Sequence, residues 1–212
     1  MSPPSAKPAY EERLRDALRR TEDWKLSCSG SRRFRRSLLG AIDVFPPTIA
    51  DIIAMSDEHP KPVIERGGDC AGVHHWALVL MLQNQWPSIP VLTIGDVRVS
   101  GRTRYGLTRQ IMKQLLRAGP EATGRLGLHA WLTFPDLTIL DMVLRPAMEN
   151  QAGRPYDPGR ADQYIIFGAS HELAAELEYE PYLLGEAVLH QIGAIEKRNA
   201  AVLDELLADG EC

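Results

Sequence analysis

Cysteine is scarce in this sequence. The 212 residues contain three cysteines, Cys28, Cys70 and Cys212, an odd number at wide spacing. This pattern fits neither a disulfide framework nor a zinc site built from paired cysteines. We therefore expect a protein of a reducing compartment that has no bound metal and no other cofactor.

Long apolar runs are also absent. No uninterrupted stretch of about 18 apolar residues could span a bilayer, and the first residues, Met1–Pro8, lack the apolar segment of a signal peptide. The sequence has no internal repeat and no low-complexity tract. The expectation is a soluble protein without a membrane partner, either cytoplasmic or delivered elsewhere without a cleavable signal peptide.

Charge is unevenly distributed along the chain. Residues 1–40 contain ten Lys and Arg against five Asp and Glu, whereas residues 161–212 contain two against eleven. The densest basic run, Arg32–Arg36, lacks the repeated aromatic residues and the motifs of nucleic-acid-binding domains. We interpret this run as a solvated loop or helix face. The basic end could meet an acidic partner, but a nucleic-acid partner is not expected.

The hydrophobic pattern predicts an α+β fold. Residues 10–25 carry apolar residues at the spacing of an amphipathic helix, and residues 73–82 are apolar on nearly every face. The second pattern is typical of a helix that is buried all round. Residues 91–99 alternate as in a strand, and two β-like runs around Pro135-Asp136 predict an antiparallel hairpin. Residues 164–167 add a short last strand.

One domain in three parts is expected. Residues 1–64 are predicted as a helical N-terminal part, residues 65–168 as the core, and residues 169–212 as a C-terminal helical part. The last part is predicted to contain three acidic helices, at 171–179, 182–192 and 195–207. Residues 145–160 are rich in Gly and Pro and are interpreted as an irregular stretch, either a lid over a site or a plain surface excursion.

The stretch Glu65–Gly72 directs attention to Cys70. Gly67 and Gly68 permit a close backbone approach, and Asp69 can cap a helix that begins at Cys70. The N–H groups and the positive dipole end of a first helical turn favour a thiolate, which is the attacking form of cysteine. Free cysteine is also a common buried residue, so this stretch alone leaves both interpretations open.

The predicted hairpin supplies the partners that such a nucleophile needs. A base must take the thiol proton, and a carboxylate must hold that base in the right tautomer. If the hairpin loop is Phe134–Asp136, His129 lies directly opposite Asp141 and the two side chains share a face. A loop of two or four residues would turn them apart. Each residue alone would be an ordinary strand residue, but together with Cys70 they predict a catalytic triad.

His74 and His75 are alternative bases. His74 lies one turn after Cys70 on the same helix face, but a histidine in a nearly all-apolar helix is typically a core residue bonded to a backbone carbonyl. A metal site from these two histidines and Asp69 is disfavoured, because adjacent residues on a helix point about 100° apart.

A family resemblance rests on these residues. Gly68-Asp69-Cys70 at the start of an apolar helix, His129-Ala130-Trp131 on one strand and Asp141 on the next resemble the transglutaminase-like branch of the papain-type fold. The resemblance spans roughly residues 65–145 and implies a papain-like core, in which the helix headed by the cysteine packs on an antiparallel sheet with extra N- and C-terminal helices. It also implies roles: Cys70 is the nucleophile, His129 the base and then the acid, and Asp141 the orienting carboxylate.

Two departures from known families are visible. The run Arg66–Cys70 also resembles the Arg-Gly-Gly-x-Cys of arylamine N-acetyltransferases, but the chain is short for that family and has no Asp-Val-Gly-type segment at Asp141. No glutamine precedes Cys70, so the oxyanion-hole glutamine of papain-like proteases has no counterpart. Backbone N–H groups, including that of Cys70, would have to form the hole. The candidate residues for a further oxyanion donor or for substrate contact are Trp24, Asp69 and Trp131.

These residues predict an enzyme that attacks an amide or ester carbonyl through an acyl-enzyme. The first expectation is hydrolysis of a peptide bond, an isopeptide bond or a glutamine amide, by a protease, isopeptidase or deamidase with a protein or peptide substrate. Transfer of the acyl group to an amine, as by a transglutaminase, is one alternative. A binding module that keeps the fold without turnover is another.

Overall fold

The computed structural model describes residues 9–38, 47–119, 127–155, 157–173 and 176–195. Within these ranges the chain is α+β, with seven α-helices and one antiparallel sheet, as predicted. The α-helices are α1 (Tyr10–Asp23), α2 (Ser29–Leu38), α3 (Ile49–Asp57), α4 (Cys70–Gln83), α5 (Arg109–Ala118), α6 (Leu144–Gln151) and α7 (Ala187–Gln191). The strands are β1 (Val91–Val99), β2 (Arg102–Thr103), β3 (His129–Thr133), β4 (Thr138–Asp141), β5 (Ile166–Ala169) and β6 (Leu177–Leu184). Two 3₁₀-helices span Val63–Gly68 and Pro158–Tyr164. Cys212 and the predicted helix at 195–207 lie outside the described residues, apart from residue 195.

The sheet is built around β1. This strand pairs antiparallel with β2, β3 and β6, and the sheet continues from β3 through β4 to β5. The predicted strand at 91–99 is confirmed residue for residue. Because β3 and β4 lie side by side in the sheet, the strands that carry His129 and Asp141 are direct neighbours.

Alternate residues of the strands face two separate hydrophobic clusters. Leu92 and Ile94 of β1 belong to the cluster that contains most of the buried residues of α4, whereas Val91 and Val97 belong to the cluster that contains α1. Period-2 alternation in a strand produces this division between the two faces. The helix that begins at Cys70 therefore packs on one face of the sheet and α1 packs on the other.

The β3–β4 hairpin has a three-residue loop, but the loop lies one residue further along the chain than predicted. Thr133 pairs with Ile139, so the loop is Pro135–Leu137. In this register His129 is diagonal to Asp141 instead of directly opposite. The two residues still share a face, because moving a loop of unchanged length by one position shifts the pairing by two.

The position of this loop follows from its residues. Pro135 has the fixed φ that suits the first central position of a turn, and the N–H of Leu137 closes that turn on the carbonyl of Phe134 at 2.9 Å. The carboxylate of Asp136 accepts the N–H of Thr138 at 3.0 Å. Leu137 then takes the left-handed conformation, with φ of 71°, in the position that glycine usually occupies in such loops.

The prediction of helices at 171–179 and 182–192 is wrong over residues 177–179 and 182–184, which belong to strand β6. The charged residues of this strand alternate with buried ones: Glu178 and Glu180 form ion pairs with Arg13 at 2.7 Å and Arg98 at 2.5 Å, while Tyr179 is buried. The C-terminal part of the chain is thus not purely helical, since it contributes a strand that pairs with β1.

The stretch 145–160 is not irregular, contrary to the prediction. Most of it lies in α6 and in the 3₁₀-helix that begins at Pro158. Pro146 is tolerated because it lies in the first turn of α6, where a backbone N–H has no helical acceptor. Instead of forming a loose lid, α6 packs against the 3₁₀-helix that leads to Cys70.

A helix that crosses a bilayer needs about 20 predominantly apolar residues. No helix among the described residues is long and apolar enough to cross a membrane.

Candidate active site

The helix α4 begins at Cys70, as predicted. The carboxylate of Asp69 accepts the backbone N–H of Gly72 at 3.0 Å and so caps the helix. The thiol is half-buried, and the first N–H groups of α4 have no carbonyl acceptor within the helix. Cys70 therefore lies where a negative charge is stabilised.

The segment that leads to Cys70 is fixed from two sides. The buried guanidinium of Arg66 donates to the hydroxyl and carbonyl oxygens of Ser56, at 2.5 and 2.7 Å, and to the carbonyl of Lys61. A Cβ atom on Gly67 would lie 2.9 Å from the Cα of Ala147 in α6. Glycine at this position thus allows α6 to pack against the approach to the thiol.

His129 and Asp141 form a buried hydrogen bond. Nε2 of His129 lies 2.6 Å from a carboxylate oxygen of Asp141, and neither side chain is exposed to solvent. Burial alone would lower the pKa of His129, but the charge and hydrogen bond of Asp141, together with Tyr105 and Cys70, outweigh burial and raise the pKa well above the ordinary histidine value. Burial alone would raise the pKa of Asp141, yet the charge and hydrogen bond of His129 hold it well below the usual range. Each member of the pair thus stabilises the charged form of the other.

Asp141 accepts three further hydrogen bonds. The hydroxyl of Tyr179 donates to the oxygen that also bonds His129, at 2.8 Å. The other oxygen accepts the backbone N–H groups of Val143 at 2.9 Å and Leu144 at 3.0 Å. Four donors in total satisfy the buried carboxylate and fix its orientation.

The second ring nitrogen of His129 is left for Cys70. Nδ1 has no hydrogen-bond partner of good geometry. The thiol of Cys70 nevertheless lies near enough to interact with the ring. Its effect on the pKa of His129 is smaller than those of burial and of Asp141, and it raises that pKa. The sulfur is therefore beside the imidazole without a well-aligned hydrogen bond. Such loose geometry is common in cysteine and serine sites without substrate.

Two aromatic rings hold the imidazole. The ring of Tyr105 stacks on His129 with centroids 5.0 Å apart and an interplanar angle of 7°, and Trp131 lies on the same strand face at 6.0 Å. The loop of Tyr105 is in turn tied to Asp96, whose buried carboxylate accepts the N–H groups of Tyr105 and Leu107, each at 3.0 Å. The orientation of His129 is thus fixed by stacking as well as by hydrogen bonding.

His74 is a neutral structural residue. Its Nε2 accepts the backbone N–H of Met142 at 3.0 Å, which requires that this nitrogen carries no proton. Nδ1 then donates to the carbonyl of Cys70 at 2.8 Å. Burial lowers the pKa of His74 to about 4. The expectation of a core histidine bonded to a backbone carbonyl is confirmed. His75 is also buried, and burial lowers its pKa to about 4.

An open cavity of about 550 Å³ gives access to Cys70. Its lining includes three glycines, Gly67, Gly68 and Gly127, together with the ring of Tyr105. Asp69 also lines the cavity and forms an ion pair with Lys61. Nowhere in the described ranges do three His, Cys, Asp or Glu side chains come together as a metal site would require.

Two of the candidates for substrate contact or the oxyanion hole are corrected. Trp131 is fully buried and its indole N–H donates to the hydroxyl of Tyr10 at 3.0 Å, so it packs the sheet and does not line the cavity. Trp24 is not among the residues that line the cavity at Cys70 and instead packs edge-on against Tyr182. Asp69 lies at the cavity, where it caps α4.

Sequence reasoning missed Tyr105, Tyr179 and Asp96. Tyr179 fell within a predicted helix, and Tyr105 lies in a loop that shows no catalytic motif. Asp96 carried a weak signal, because a lone carboxylate in an otherwise apolar strand needs several buried donors.

The comparisons with known proteins identify no relative. No protein-family model matches the chain, and the searches of curated proteins and of solved structures gave no significant match.

Proposed function

We propose that the protein is a cysteine-nucleophile enzyme with a transglutaminase-like, papain-type core, which cleaves an amide or ester bond through an acyl-enzyme. The observation that carries the proposal is the buried pair of His129 and Asp141, which leaves Nδ1 of His129 without a partner beside Cys70. The position of Cys70 at the start of α4 supports the same conclusion, because a helix N-terminus favours a thiolate.

The proposed reaction begins with the proton on His129 and the negative charge on Cys70. The thiolate attacks the carbonyl carbon, and the first N–H groups of α4, including that of Cys70, stabilise the oxyanion that forms. Collapse of this intermediate breaks the bond to the amine or alcohol, which leaves with the proton from Nδ1 of His129. A water molecule then gives its proton to His129 and attacks the thioester, which releases the acid and restores the site.

A peptide or protein is the proposed substrate. The cavity at Cys70 is open, and three of the residues that line it are glycines, which leaves room for an extended chain to approach the thiol between the larger side chains of Tyr105, Leu128 and Val143. Hydrolysis of a peptide bond, an isopeptide bond or a glutamine amide fits this access.

An active ester that needs no specific recognition tests the proposal. With p-nitrophenyl acetate, we expect a burst of nitrophenolate and an acetyl group on Cys70, detected by mass spectrometry of the quenched protein. Cys70→Ala should abolish the burst. Cys28→Ala is the matched control, because burial and the nearby Glu186 raise the pKa of Cys28 to about 12 and keep that thiol inert.

Two outcomes would contradict the proposal. Acetylation of Cys28 at the same rate as Cys70 would mean that Cys70 is not activated. A folded protein with no acylation of Cys70, by this ester or by iodoacetamide, would favour a binding module without turnover.

Acyl transfer is the second candidate. Cys70 is only half-buried and Gly68 beside it is exposed, so an acyl group on the sulfur stays open to an amine as well as to water. Adding a lysine peptide to the acyl-enzyme measures the choice. Faster loss of the acyl group with formation of the amide product would favour transfer, and an unchanged rate would favour hydrolysis.

A further inference from the structure

The helix α5 presents a row of three cations. Arg109, Lys113 and Arg117 are spaced four residues apart, so they lie on one face, and all three are exposed. The helix contains no Asp or Glu in any turn. Four residues of helix rise by about 6 Å, so the three charges span about 12 Å.

This row borders two aromatic side chains. The charged groups of Arg109 and Lys113 lie 6.0 and 5.8 Å from the ring centroid of Trp24, and Trp24 packs edge-on against Tyr182. Arg20 covers the ring of Tyr182 at 4.2 Å. We name these six residues the α5 surface: Arg20, Trp24, Arg109, Lys113, Arg117 and Tyr182. A cavity of about 330 Å³ opens in it between Trp24 and the side chains of α5.

Among the described residues, no carboxylate neutralises the three cations of α5. Within the described residues, Arg109, Lys113 and Arg117 form no ion pair with a carboxylate, although exposed or half-exposed cations elsewhere, such as Arg13 and Arg98, do.

The electrostatics of α5 itself also oppose this arrangement. Like charges four residues apart destabilise a helix, and Arg109 stands at the positive end of the helix dipole. The three cations therefore do not stabilise α5, and the chain as a whole has a net charge of −4. Binding of an anionic ligand explains their clustering better than a contribution to the stability of the helix.

We infer that the α5 surface binds an acidic peptide segment of a partner protein. Alternate residues of an extended peptide are about 6.6 to 6.8 Å apart, which matches the spacing of the cations along α5. A single-stranded nucleic acid fits less well, because it needs free aromatic faces for its bases, and here cations already cover both rings. The cavity beside Trp24 can take one apolar side chain of the peptide.

A binding titration tests this inference independently of catalysis. The probe is a fluorescein-labelled peptide of alternating glutamate and serine, followed by fluorescence anisotropy at low ionic strength, and the neutral control peptide replaces glutamate by glutamine. We expect the acidic peptide alone to bind, with an affinity that falls as salt rises. The triple variant Arg109→Gln, Lys113→Gln, Arg117→Gln should bind at least about tenfold more weakly.

A matched variant controls for net charge. Arg15→Gln, Arg19→Gln, Arg154→Gln removes the same charge from exposed residues that are not part of the α5 surface and that each form an ion pair with a neighbouring carboxylate. This variant should bind as the wild type does, and thermal unfolding followed by circular dichroism should verify that both variants fold. Equal weakening in the two variants, no binding of the acidic peptide, or tighter binding of a single-stranded oligothymidine of equal charge would each overturn the inference.

Discussion

Two buried histidines flank the same carboxylate and behave in opposite ways. His74 on α4 and His129 on β3 have ring centroids 6.4 Å apart, and both rings approach Asp141, at 3.6 and 2.6 Å. Burial lowers the pKa of His74 to about 4. Burial acts on His129 in the same direction, but the charge and hydrogen bond of Asp141, together with Tyr105 and Cys70, raise its pKa well above the ordinary value.

The difference lies in what each Nε2 bonds. Nε2 of His74 accepts a backbone N–H, which a protonated ring could not do, so protonation would break that bond. Nε2 of His129 donates to the carboxylate, and this bond is strengthened when the ring is charged. Equal burial near one carboxylate thus produces a structural histidine and a candidate catalytic one. The direction of the hydrogen bond at Nε2, more than the distance to Asp141, decides which of the two histidines favours the neutral form and which the charged form.

The largest expected effect is on His129. His129→Gln should slow acylation of Cys70 by p-nitrophenyl acetate by about 10⁴-fold, because the base and proton donor are lost. His74→Gln is the matched control and should retain the rate within about tenfold, because the amide can accept from Met142 and donate to Cys70. Comparable losses in both variants would mean that the two histidines are not functionally distinct.

Asp141→Asn should have the next largest effect. We expect about a 10³-fold slower acylation, since the charge that stabilises the imidazolium is removed. The pKa of His129 should fall, as measured by NMR titration of its ring protons. The stability that the His129 proton contributes is present below about pH 6.5 and is lost as pH rises through its raised folded pKa. In Asp141→Asn this loss of stability should begin at lower pH. If it begins at the same pH as in the wild type, Asp141 does not raise the pKa of His129.

The lowered pKa of His74 predicts that the free energy of unfolding decreases at acid pH. Its folded pKa of about 4 lies below the ordinary value of 6.5, so its contribution is present above pH 6.5 and is lost as pH falls towards 4. The free energy of unfolding should decrease by about 3 kcal/mol from this group over that range. Urea unfolding of His74→Gln should show a flatter acid limb than the wild type. His171→Gln, an exposed histidine, should leave the limb unchanged.

Tyr179→Phe should have the smallest effect. It removes one donor to the charged carboxylate of Asp141 and leaves the ring in place, which should cost about 2 kcal/mol of unfolding free energy. Acylation should slow by less than about tenfold, because His129 still bonds Asp141. Kinetics and urea unfolding of the same preparation measure both quantities. A loss as large as that of Asp141→Asn would mean that Tyr179 is needed to hold the carboxylate.

The sequence was informative where the signal is local. The cap at Asp69, the apolar helix that follows it and the alternation at 91–99 depend on neighbouring residues, and all three were predicted. The hairpin loop was displaced by one residue because Leu137 takes a left-handed conformation that side chains usually avoid. The prediction that His129 and Asp141 share a face of the hairpin is confirmed, since it depends on the length of the loop and not on its exact position.

The errors arose where distant residues decide the structure. Residues 177–179 and 182–184 were predicted as the ends of two helices, yet the alternation of charged and buried residues through Glu178, Tyr179 and Glu180 is typical of a strand. The carboxylates of this strand are paired with Arg13 and Arg98, which no local pattern reveals. Tyr105 likewise meets His129 only through the fold.

The pairing of β1 with β6 sets an order of assembly during protein synthesis. The strand β6 is the last of the described strands to leave the ribosome, more than 70 residues after β1. Until it emerges, Asp141 lacks the hydroxyl of Tyr179 and one long edge of β1 has no partner. A nascent chain that already contains Cys70, His129 and Asp141 therefore lacks the hydrogen bond from Tyr179 to Asp141. The emergence of β6 supplies it.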